Sequence, residues 1–287
     1  MKRRLNGTGW TIRPPGLGGM PLSIAGRPDE TQAFDVIAAF VEGGGDFIDT
    51  ANVYCLDDSE IGHNERLISR ALARIGKRAA VLVATKGGLR RPGGAWTVDG
   101  NPTWLRTSCE KSLEDLGSDA IALYQLHAPD PQVDFGDTLG ELIRLKEEGK
   151  VLHIGLSNVE CKELEFALRH TPIASVQNRC NPFFKRDFDN GLIGMCLSKG
   201  VAYIPYAPVG GNRGHVRLPA HPLFRRLSEK YGASPYCVAL AWLLQKGEHI
   251  IPIPGASKLS SVRDAQRAGD VELERDDIAL IDRLPDE

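Results

Sequence analysis

The stretch Asp46–Tyr54, DFIDTANVY, decides how this sequence is interpreted. A short apolar run, Phe47 and Ile48, ends abruptly at Asp49, and Tyr54 follows after a short polar-to-apolar connection. A buried strand of that length carries its last side chain to the rim of a sheet. The stretch therefore predicts a carboxylate at a sheet rim and a loop that can fold a phenol back over the same rim.

Other apolar runs along the chain also end in residues that can do chemistry. These runs are VLVATK to Lys86, ALYQLH to His127, VLHIGLSN to Ser157–Asn158, SVQN to Gln177 and AYIPY to Tyr206. A helical pattern follows each run, and strict alternation of strand and helix implies a parallel sheet. Eight such units close a barrel whose C-terminal rim holds the active site. We therefore predict an α/β fold, a (β/α)8 TIM barrel, with all of these residues on that rim.

The spacing of apolar residues gives the expected elements of this barrel. Strands are predicted at 16–20, 47–49, 80–85, 120–126, 151–156, 174–177, 201–206 and 250–253. Helices are predicted at 30–42, from Asn64 as a cap, and at 103–116, 135–148, 162–170, 190–199, 221–230, 234–245 and 259–268. A short N-terminal hairpin at 4–12, turning at Asn6-Gly7, and a terminal helix at 275–283 complete it. No linker interrupts the pattern, so residues 1–287 are expected to form a single domain.

Composition narrows the classes of partner and compartment. The 287 residues are 42% hydrophobic and carry a formal net charge of −2, which gives no electrostatic case for nucleic acid or an anionic membrane. The six cysteines form no CxxC pair, so neither a metal site nor a disulfide framework is expected. The N-terminus has no apolar signal core, and no window approaches a membrane span. We expect a soluble cytoplasmic protein, with an oligomeric state that the sequence leaves open.

Seven motifs now identify a resemblance. DTANVY, ATKGG, YQLHAPD, HIGLSN, SVQN, YAP and PIPGAS occur in the order and at the spacing of the aldo-keto reductase family, which the chain resembles along nearly its whole length. It is most similar to the microbial branch, which ends soon after the eighth helix. The resemblance implies an NADP(H)-dependent oxidoreductase that transfers a hydride between nicotinamide and a small-molecule carbonyl or alcohol, without a metal.

The resemblance implies a catalytic tetrad of Asp49, Tyr54, Lys86 and His127. Hydride reduction of a carbonyl leaves an alkoxide, so a proton donor must sit at its oxygen. A free tyrosine is a reluctant donor at neutral pH, and a neighbouring ammonium lowers its pKa. We expect Tyr54 to be the donor, Lys86 to lower its pKa, Asp49 to hold Lys86, and His127 to orient the carbonyl.

The resemblance also implies the cofactor residues. Ser157, Asn158 and Gln177 would bind the nicotinamide carboxamide, Tyr206 would stack on its ring, and Asp49 would lie beside it. Backbone from the glycine turn and from the loop after strand seven would approach the cofactor, at Gly19, Met20, Ala207, Pro208 and Val209. Ala207 stands where the family commonly has serine. The residues expected to line the substrate pocket are Trp96, Phe183 and Phe184.

The segment after strand eight, PIPGASKLSSVRDAQ, is where the family binds the adenosine end of the cofactor. The residues expected there are Gly255, Ser257, Lys258, Ser261 and Asp264, with Asp264 on the adenine. Ala265 replaces the usual asparagine, and helix geometry turns Gln266 away. No acid lies between Gly255 and Arg263, which favours NADPH over NADH. Arg213 and Arg217 are alternative contacts for the 2′-phosphate.

Two other functions remain open at this point. Lys86 could be the nucleophile of a Schiff-base barrel enzyme, because amines attack carbonyl substrates in that class. The protein could also bind the cofactor and turn over slowly, as do the channel-associated members of the family. Each residue of the tetrad taken singly has a structural interpretation as a cap, a packed aromatic or a solvated charge. Their joint position on one rim is what favours catalysis.

Overall fold

The computed structural model describes residues 2–5 and 7–286, apart from the side chains at 212 and 213. Within the described residues, seven parallel strands form the main sheet, and they are β3 Leu17–Gly18, β4 Phe47–Asp49, β5 Leu82–Gly87, β8 Ile121–Leu126, β9 Val151–Ser157, β10 Ile173–Arg179 and β11 Ala202–Tyr206. Their order across the sheet is β11-β10-β9-β8-β5-β4-β3. Sequential strands are neighbours in this sheet, as the alternating pattern requires, and the predicted barrel is confirmed.

The segment at 250–253, predicted as strand eight, closes the barrel without forming a continuous ladder. Its hydrogen bonds to the two neighbouring strands run from Ile251 N to Tyr203 O (2.8 Å) and from Gly16 N to Pro252 O (3.0 Å), and Pro254, the next residue, accepts from Gly18 N at 3.0 Å. Proline has no N–H, so Pro252 and Pro254 donate nothing to the strand beside them. The segment occupies the eighth position, but the prediction of a regular strand there is wrong.

Helices cover the outside of the sheet. They are α1 Glu30–Glu42, α2 His63–Arg74, α3 Pro102–Leu116, α4 Phe135–Glu147, α5 Cys161–Leu168, α6 Arg186–Asp189, α7 Leu192–Lys199, α8 Gly211–Gly214, α9 Arg217–Ala220, α10 Pro222–Tyr231, α11 Pro235–Gln245, α12 Leu259–Gln266 and α13 Arg275–Asp282. The expectation that Asn64 caps α2 is wrong, because Gly62 holds that position. Asn64 lies inside the helix and accepts from Thr50 Oγ1 at 2.6 Å.

Two short antiparallel pairs lie outside the barrel strands. They are the N-terminal hairpin, β1 Arg3–Leu5 with β2 Trp10–Ile12, and a second hairpin, β6 Leu89–Arg90 with β7 Thr97–Val98. The first hairpin is confirmed, although Asn6 at its predicted turn lies outside the described residues. The second hairpin follows β5 at the rim and was not predicted.

The barrel interior divides into an apolar end and a polar end. Leu5 and Ile12 of the first hairpin pack with Phe47, Leu123 and Ile204 in one buried cluster, which closes the N-terminal end. Towards the carboxyl ends of the strands the buried interior becomes polar, with Asp49, Lys86, Gln125, Ser175 and Gln177. This polar layer is the floor of the site described next. No helix among the described residues is long and apolar enough to cross a membrane.

Candidate active site

Lys86 is fully buried, and its ammonium group has three hydrogen-bond acceptors. Nζ donates to Asp49 Oδ2 at 2.5 Å, to Thr50 O at 3.0 Å and to Tyr54 Oη at 3.0 Å. Because an ammonium carries three hydrogens, all of them are engaged. Burial lowers the pKa of Lys86, but the Asp49 carboxylate and the Tyr54 phenol raise it by more, so the net shift is upward. Lys86 is therefore a charged group.

Asp49 balances that charge within a satisfied polar network. Its Oδ1 accepts from Gln177 Nε2 at 2.8 Å and from Gln125 Nε2 at 3.1 Å, while Gln125 Oε1 accepts from Gln177 Nε2 at 3.2 Å. Buried ion pairs are tolerated when such extra bonds satisfy the remaining lone pairs. Sequence analysis missed Gln125, although a glutamine inside the apolar run ALYQLH was a signal of a buried polar role.

The Tyr54 hydroxyl is left with a hydrogen to donate. Lys86 donates into its oxygen, so the phenol hydrogen points to some other acceptor. Burial raises the pKa of Tyr54 above its usual value, and the Lys86 ammonium offsets part of that rise. Lys86 thus lowers the pKa of Tyr54 as expected, but burial is the larger effect and the net shift is upward. The phenol is protonated at neutral pH.

His127 stands beside Tyr54, with the two ring centroids 5.8 Å apart and the rings nearly perpendicular. Its Nδ1 is buried and has no hydrogen-bond partner among the residues that the structure describes. Burial, followed by the charge of Lys86, holds the pKa of His127 well below its usual value. The imidazole is therefore neutral at neutral pH and carries a single N–H, which suits it to donate to an uncharged oxygen.

These groups open into a cleft of about 750 Å³. The part next to Tyr54 is walled by residues from four rim loops, and the cleft then runs past β9, β10 and β11 to the start of α12. The predicted site residues that line it are Met20, Asp49, Tyr54, Trp96, His127, Ser157, Asn158, Gln177, Tyr206, Ala207, Pro208, Val209, Gly255, Ser257, Lys258, Ser261 and Asp264. One cleft thus brings together side chains spread over more than two hundred residues of sequence.

The middle of the cleft has a defined set of free donors and acceptors. Asn158 Nδ2 donates to His127 O at 2.8 Å and to Ser157 Oγ at 3.2 Å, and Asn158 Oδ1 accepts from Tyr206 Oη at 2.9 Å. Both hydrogens of Gln177 Nε2 enter the buried network below. What remains for a ligand is the Ser157 hydroxyl hydrogen, a lone pair on Asn158 Oδ1, and Gln177 Oε1. Asn158 holds this position with a left-handed backbone, φ 57°.

Comparison with known proteins decides the family. Residues 16–286 match the model of the aldo/keto reductase family. The chain belongs to that family. Probable aldo-keto reductase 1 of Glycine max is 32% identical over 97% of this chain and 87% of its own, and aldo-keto reductase str7 of Strobilurus tenacellus is 30% identical over 90% and 82%.

Solved structures give the same result for the fold. The thermostable aldo-keto reductase Tm1743, determined with the inhibitor epalrestat, superposes with a TM-score of 0.83 at 25% identity and covers 98% of both chains. The glycerol dehydrogenase from Gluconobacter oxydans superposes with a TM-score of 0.84 at 25% identity, over 98% of this chain and 94% of its own. This aldo-keto reductase is therefore an oxidoreductase with the barrel of its family.

The far end of the cleft differs from the expected arrangement in detail. Asp264 lines the cleft but accepts a hydrogen bond from the Ser234 hydroxyl, so one oxygen is already engaged. Gln266 donates to Phe40 O at 2.8 Å, outside the cleft, as helix geometry predicted. Arg217 lies over the Phe183 ring at 4.0 Å and does not line the cleft. The alternative contact at Arg213 falls on a side chain outside the described residues.

Three residues assigned to the site from sequence lie elsewhere. Gly19 does not line the cleft, and Gly18 does. A side chain on Gly19 would come within 2.5 Å of Asn64 Oδ1, so packing explains that glycine. Phe183 packs against Phe224 with 5.9 Å between ring centroids, and Phe184 lies under the Arg179 guanidinium at 4.6 Å. The expectation that both phenylalanines line the substrate pocket is wrong, because their loop folds against α10 and β10.

The cleft also has walls that sequence analysis did not assign. They include Gly18, Leu89, Gly211, His215, Tyr236 and Leu240. Leu89 belongs to the unpredicted second hairpin, while His215, Tyr236 and Leu240 come from the loop after β11 and from α11. The helical spacing of Tyr236 and Leu240 was visible in the sequence, but it could not show which face of α11 meets the cleft.

Proposed function

We propose that this aldo-keto reductase is NADP(H)-dependent and interconverts an aldehyde or ketone with an alcohol, with Tyr54 as the proton donor. The observation that carries the proposal is the bond from Lys86 Nζ to Tyr54 Oη, at 3.0 Å. It leaves the phenol hydrogen free, and Tyr54 lines the cleft where a carbonyl oxygen can accept it. A positioned acid of this kind contributes roughly 10²- to 10⁴-fold to a rate.

Lys86 stabilises the phenolate that remains when Tyr54 has lost its proton. When Tyr54 gives its proton to the carbonyl oxygen, a phenolate forms in a buried site, where an unpaired anion is costly. The ammonium already points at that oxygen, so it stabilises the phenolate without moving. Asp49 and its two glutamine partners keep the ammonium in place while the charge on Tyr54 changes.

His127 positions the substrate in this proposal. Its neutral ring stands perpendicular to Tyr54, so an N–H from the imidazole and the O–H of the phenol can converge on one oxygen atom. The low pKa of His127 matters here, because a charged imidazolium beside Lys86 would place two cations at one carbonyl. Two neutral donors polarise the carbonyl, and only Tyr54 transfers its proton.

The free polar atoms in the middle of the cleft fit a nicotinamide carboxamide. That amide offers one acceptor and two donor hydrogens. The Ser157 hydroxyl supplies one donor, and Asn158 Oδ1 and Gln177 Oε1 supply two acceptors. Tyr206 offers a ring against which the heterocycle stacks. When bound, the reduced nicotinamide supplies the hydride.

The far end of the cleft favours a 2′-phosphate. Ser257, Lys258 and Ser261 line it at the N-terminus of α12, where free N–H groups and the helix dipole attract an anion. No aspartate or glutamate lies between Gly255 and Arg263 to repel it. We therefore propose a preference for NADPH over NADH.

The geometry argues against the Schiff-base alternative. A lysine nucleophile must lose a proton, and enzymes arrange this by lowering its pKa. Lys86 has a raised pKa, no exposed surface and no free hydrogen. The slow cofactor-binding protein keeps the same site, so only a turnover measurement separates it from the enzyme.

The test is a panel of aldehydes, ketones, quinones and keto-sugars, followed by NADPH absorbance with wild type and Tyr54→Phe. We expect wild type to oxidise NADPH with at least one carbonyl and Tyr54→Phe to lose that activity while still binding NADPH. Cofactor binding without turnover by wild type would favour the binding protein. Borohydride trapping of a carbonyl on Lys86 would favour the Schiff-base enzyme.

A further inference from the structure

The second hairpin builds one wall of the cleft beside Tyr54. Leu89 of β6 pairs with Val98 of β7, and Trp96 immediately precedes β7. Trp96 lines the cleft, its ring lies 6.2 Å from the Tyr54 ring in an edge-on arrangement, and 47% of its surface is exposed. An indole this open beside a proton donor has surface left for a substrate.

Arg91 holds that indole from behind. Its guanidinium carbon lies 3.8 Å from the centroid of the Trp96 ring, so the cation covers one face of the indole. Nη2 donates to Cys55 O and Leu56 O, both at 2.9 Å, and Nη1 donates to Gly94 O. The guanidinium thus ties the hairpin to the chain immediately after Tyr54. Its planar fork suits this task, and a lysine ammonium would not reproduce it.

Arg91 acts on a substrate only through Trp96. Only 5% of Arg91 is exposed and its Nε is buried, so a ligand in the cleft does not reach the guanidinium. Because the fixed Arg91 cation covers one face of the indole, it holds the Trp96 ring and its remaining exposed surface in one orientation. A flat ligand that stacks there gains contact without first having to order the wall.

Among the described residues, the walls near Tyr54 offer no charged partner for a substrate. Met20, Leu89 and Trp96 are apolar, and burial holds the pKa of His127 well below its usual value, so that ring is neutral. Asp49 is engaged with Lys86 and two glutamines. A second, anionic group on the substrate would lose its hydration here without gaining a cationic partner among the described residues of this wall.

We propose that Arg91 is a positioning residue for substrate selection, which fixes Trp96 as a stacking wall for planar, uncharged carbonyl compounds such as aromatic aldehydes. This inference rests on the proposed carbonyl reductase function. It assigns the preference to one stacked pair, Arg91 on Trp96, and leaves the proton chemistry to the tetrad.

The experiment compares benzaldehyde with cyclohexanecarbaldehyde, which has a similar size but no planar ring, and with 4-carboxybenzaldehyde. NADPH-linked kcat and KM are measured for wild type, Trp96→Ala, Arg91→Met, Arg91→Lys and the Arg91→Met/Trp96→Ala double variant. Arg90→Met is the matched control, because the neighbouring Arg90 stacks at 3.8 Å on Trp104, which does not line the cleft. Thermal unfolding shows that each variant is folded.

We expect wild type to have its lowest KM for benzaldehyde. Trp96→Ala and Arg91→Met should each raise that KM by about three- to tenfold, the range of a lost aromatic contact, with kcat and the KM for cyclohexanecarbaldehyde within about twofold. Arg91→Lys should fall between Arg91→Met and wild type. The double variant should be no worse than Trp96→Ala, because both changes remove one wall. Arg90→Met should match wild type.

Several results would overturn the inference. If Arg91→Met raised the KM equally for both uncharged aldehydes, or lowered kcat tenfold, Arg91 would support the whole loop and would not act specifically through Trp96. Preference for 4-carboxybenzaldehyde would contradict the uncharged subsite. If Arg91→Met failed to fold, Arg91→Lys and Trp96→Ala would still decide. A wild type that oxidises no NADPH with any carbonyl refutes the proposed function instead, whereas an active wild type indifferent to planarity refutes only this inference.

Discussion

Lys86 Nζ and Tyr54 Oη lie 3.0 Å apart, and the ammonium is the donor in this bond. Burial raises the pKa of the Tyr54 phenol, and the same ammonium is the largest influence against that rise. Tyr54 therefore keeps its proton at neutral pH, and Lys86 stabilises the phenolate that forms when that proton is lost. A proton donor needs both properties, because it must be loaded before the reaction and stabilised as an anion after it.

Removing the hydroxyl tests the donor directly. Tyr54→Phe deletes one of the three acceptors of Lys86 and leaves the other two, Asp49 and Thr50, in place. We expect kcat to fall by at least ~10²-fold, the low end for a general acid, while the dissociation constant for NADPH stays within about twofold. Stopped-flow turnover and fluorescence titration measure the two quantities. Near wild-type turnover by Tyr54→Phe would show that Tyr54 is not the proton donor.

Removing the ammonium separates its catalytic role from its structural one. Lys86→Met leaves Asp49 buried without its cation, which costs about 3–5 kcal/mol of stability, and raises the pKa of Tyr54 further. The double variant Asp49→Asn/Lys86→Met removes both charges, so we expect it to regain stability but no activity. Urea unfolding and the pH dependence of residual turnover are the measurements. Recovery of activity in the double variant would show that Lys86 serves only stability.

The sequence predicted the residues on the rim better than the contacts among them. Runs that end in Asp49, Lys86 and His127 place those side chains at strand ends, because alternation fixes which end of a parallel strand meets the rim. The glutamine in ALYQLH signalled a buried polar role for Gln125, but the sequence could not show its partners, Asp49 and Gln177, because they meet it only when the neighbouring strands are in register. The net pKa of Tyr54 was also out of reach, because it depends on burial as much as on Lys86.

Contacts between residues far apart in the sequence also explain the errors outside the tetrad. Phe183 and Phe184 follow a rim strand, which favoured the substrate pocket, but the direction of a loop is set by what it packs against. Pro252 lies in the predicted eighth strand and Pro254 directly follows it, and their missing N–H groups could have predicted the broken ladder. Gly18 and Gly19 are equivalent in sequence, and only packing against Asn64 distinguishes them.

A buried carboxyl behind the site makes stability depend on pH. Glu65 is fully buried, and Thr85 Oγ1 donates to its Oε1 at 2.5 Å. Burial raises the pKa of Glu65 from 4.5 to about 7. Because the folded pKa is the higher one, the stabilising contribution is complete below pH 4.5 and is lost as the pH rises to about 7.

Glu65→Gln removes this titration. We expect the unfolding free energy of wild type, taken relative to Glu65→Gln, to fall by about 3 kcal/mol between pH 4.5 and pH 7, from 1.36 kcal/mol per pKa unit. Urea unfolding at several pH values across that window measures it. A constant difference between the two proteins would show that the pKa of Glu65 is the same in the folded and unfolded states.

Tyr206 combines a ring and a hydroxyl in the part of the cleft that we propose for the nicotinamide. Its Oη donates to Asn158 Oδ1 at 2.9 Å, so the hydroxyl holds Asn158 while the ring faces the cleft. Tyr206→Ala should weaken NADPH binding by roughly 1–3 kcal/mol, as lost base stacking does elsewhere. Tyr206→Phe should cost about 0.5–1.5 kcal/mol, the worth of one hydrogen bond. Calorimetric titration compares them, and equal losses would assign the effect to the hydroxyl.

In our proposal, the choice between NADPH and NADH depends on the cation at the start of α12. Lys258 lines the cleft, whereas Arg263 lies on the same helix outside it, so the two provide a matched pair of charges. If Lys258 meets the 2′-phosphate, Lys258→Ala should weaken NADPH binding by about 1.5–3 kcal/mol, the worth of a charged hydrogen bond, and leave NADH binding unchanged. Arg263→Ala should leave both nearly unchanged. The loss should shrink at high salt, because screening weakens exposed charge contacts. Equal losses for the two cofactors would place Lys258 on a part that they share, and a wild type that prefers NADH would refute the NADP(H) assignment.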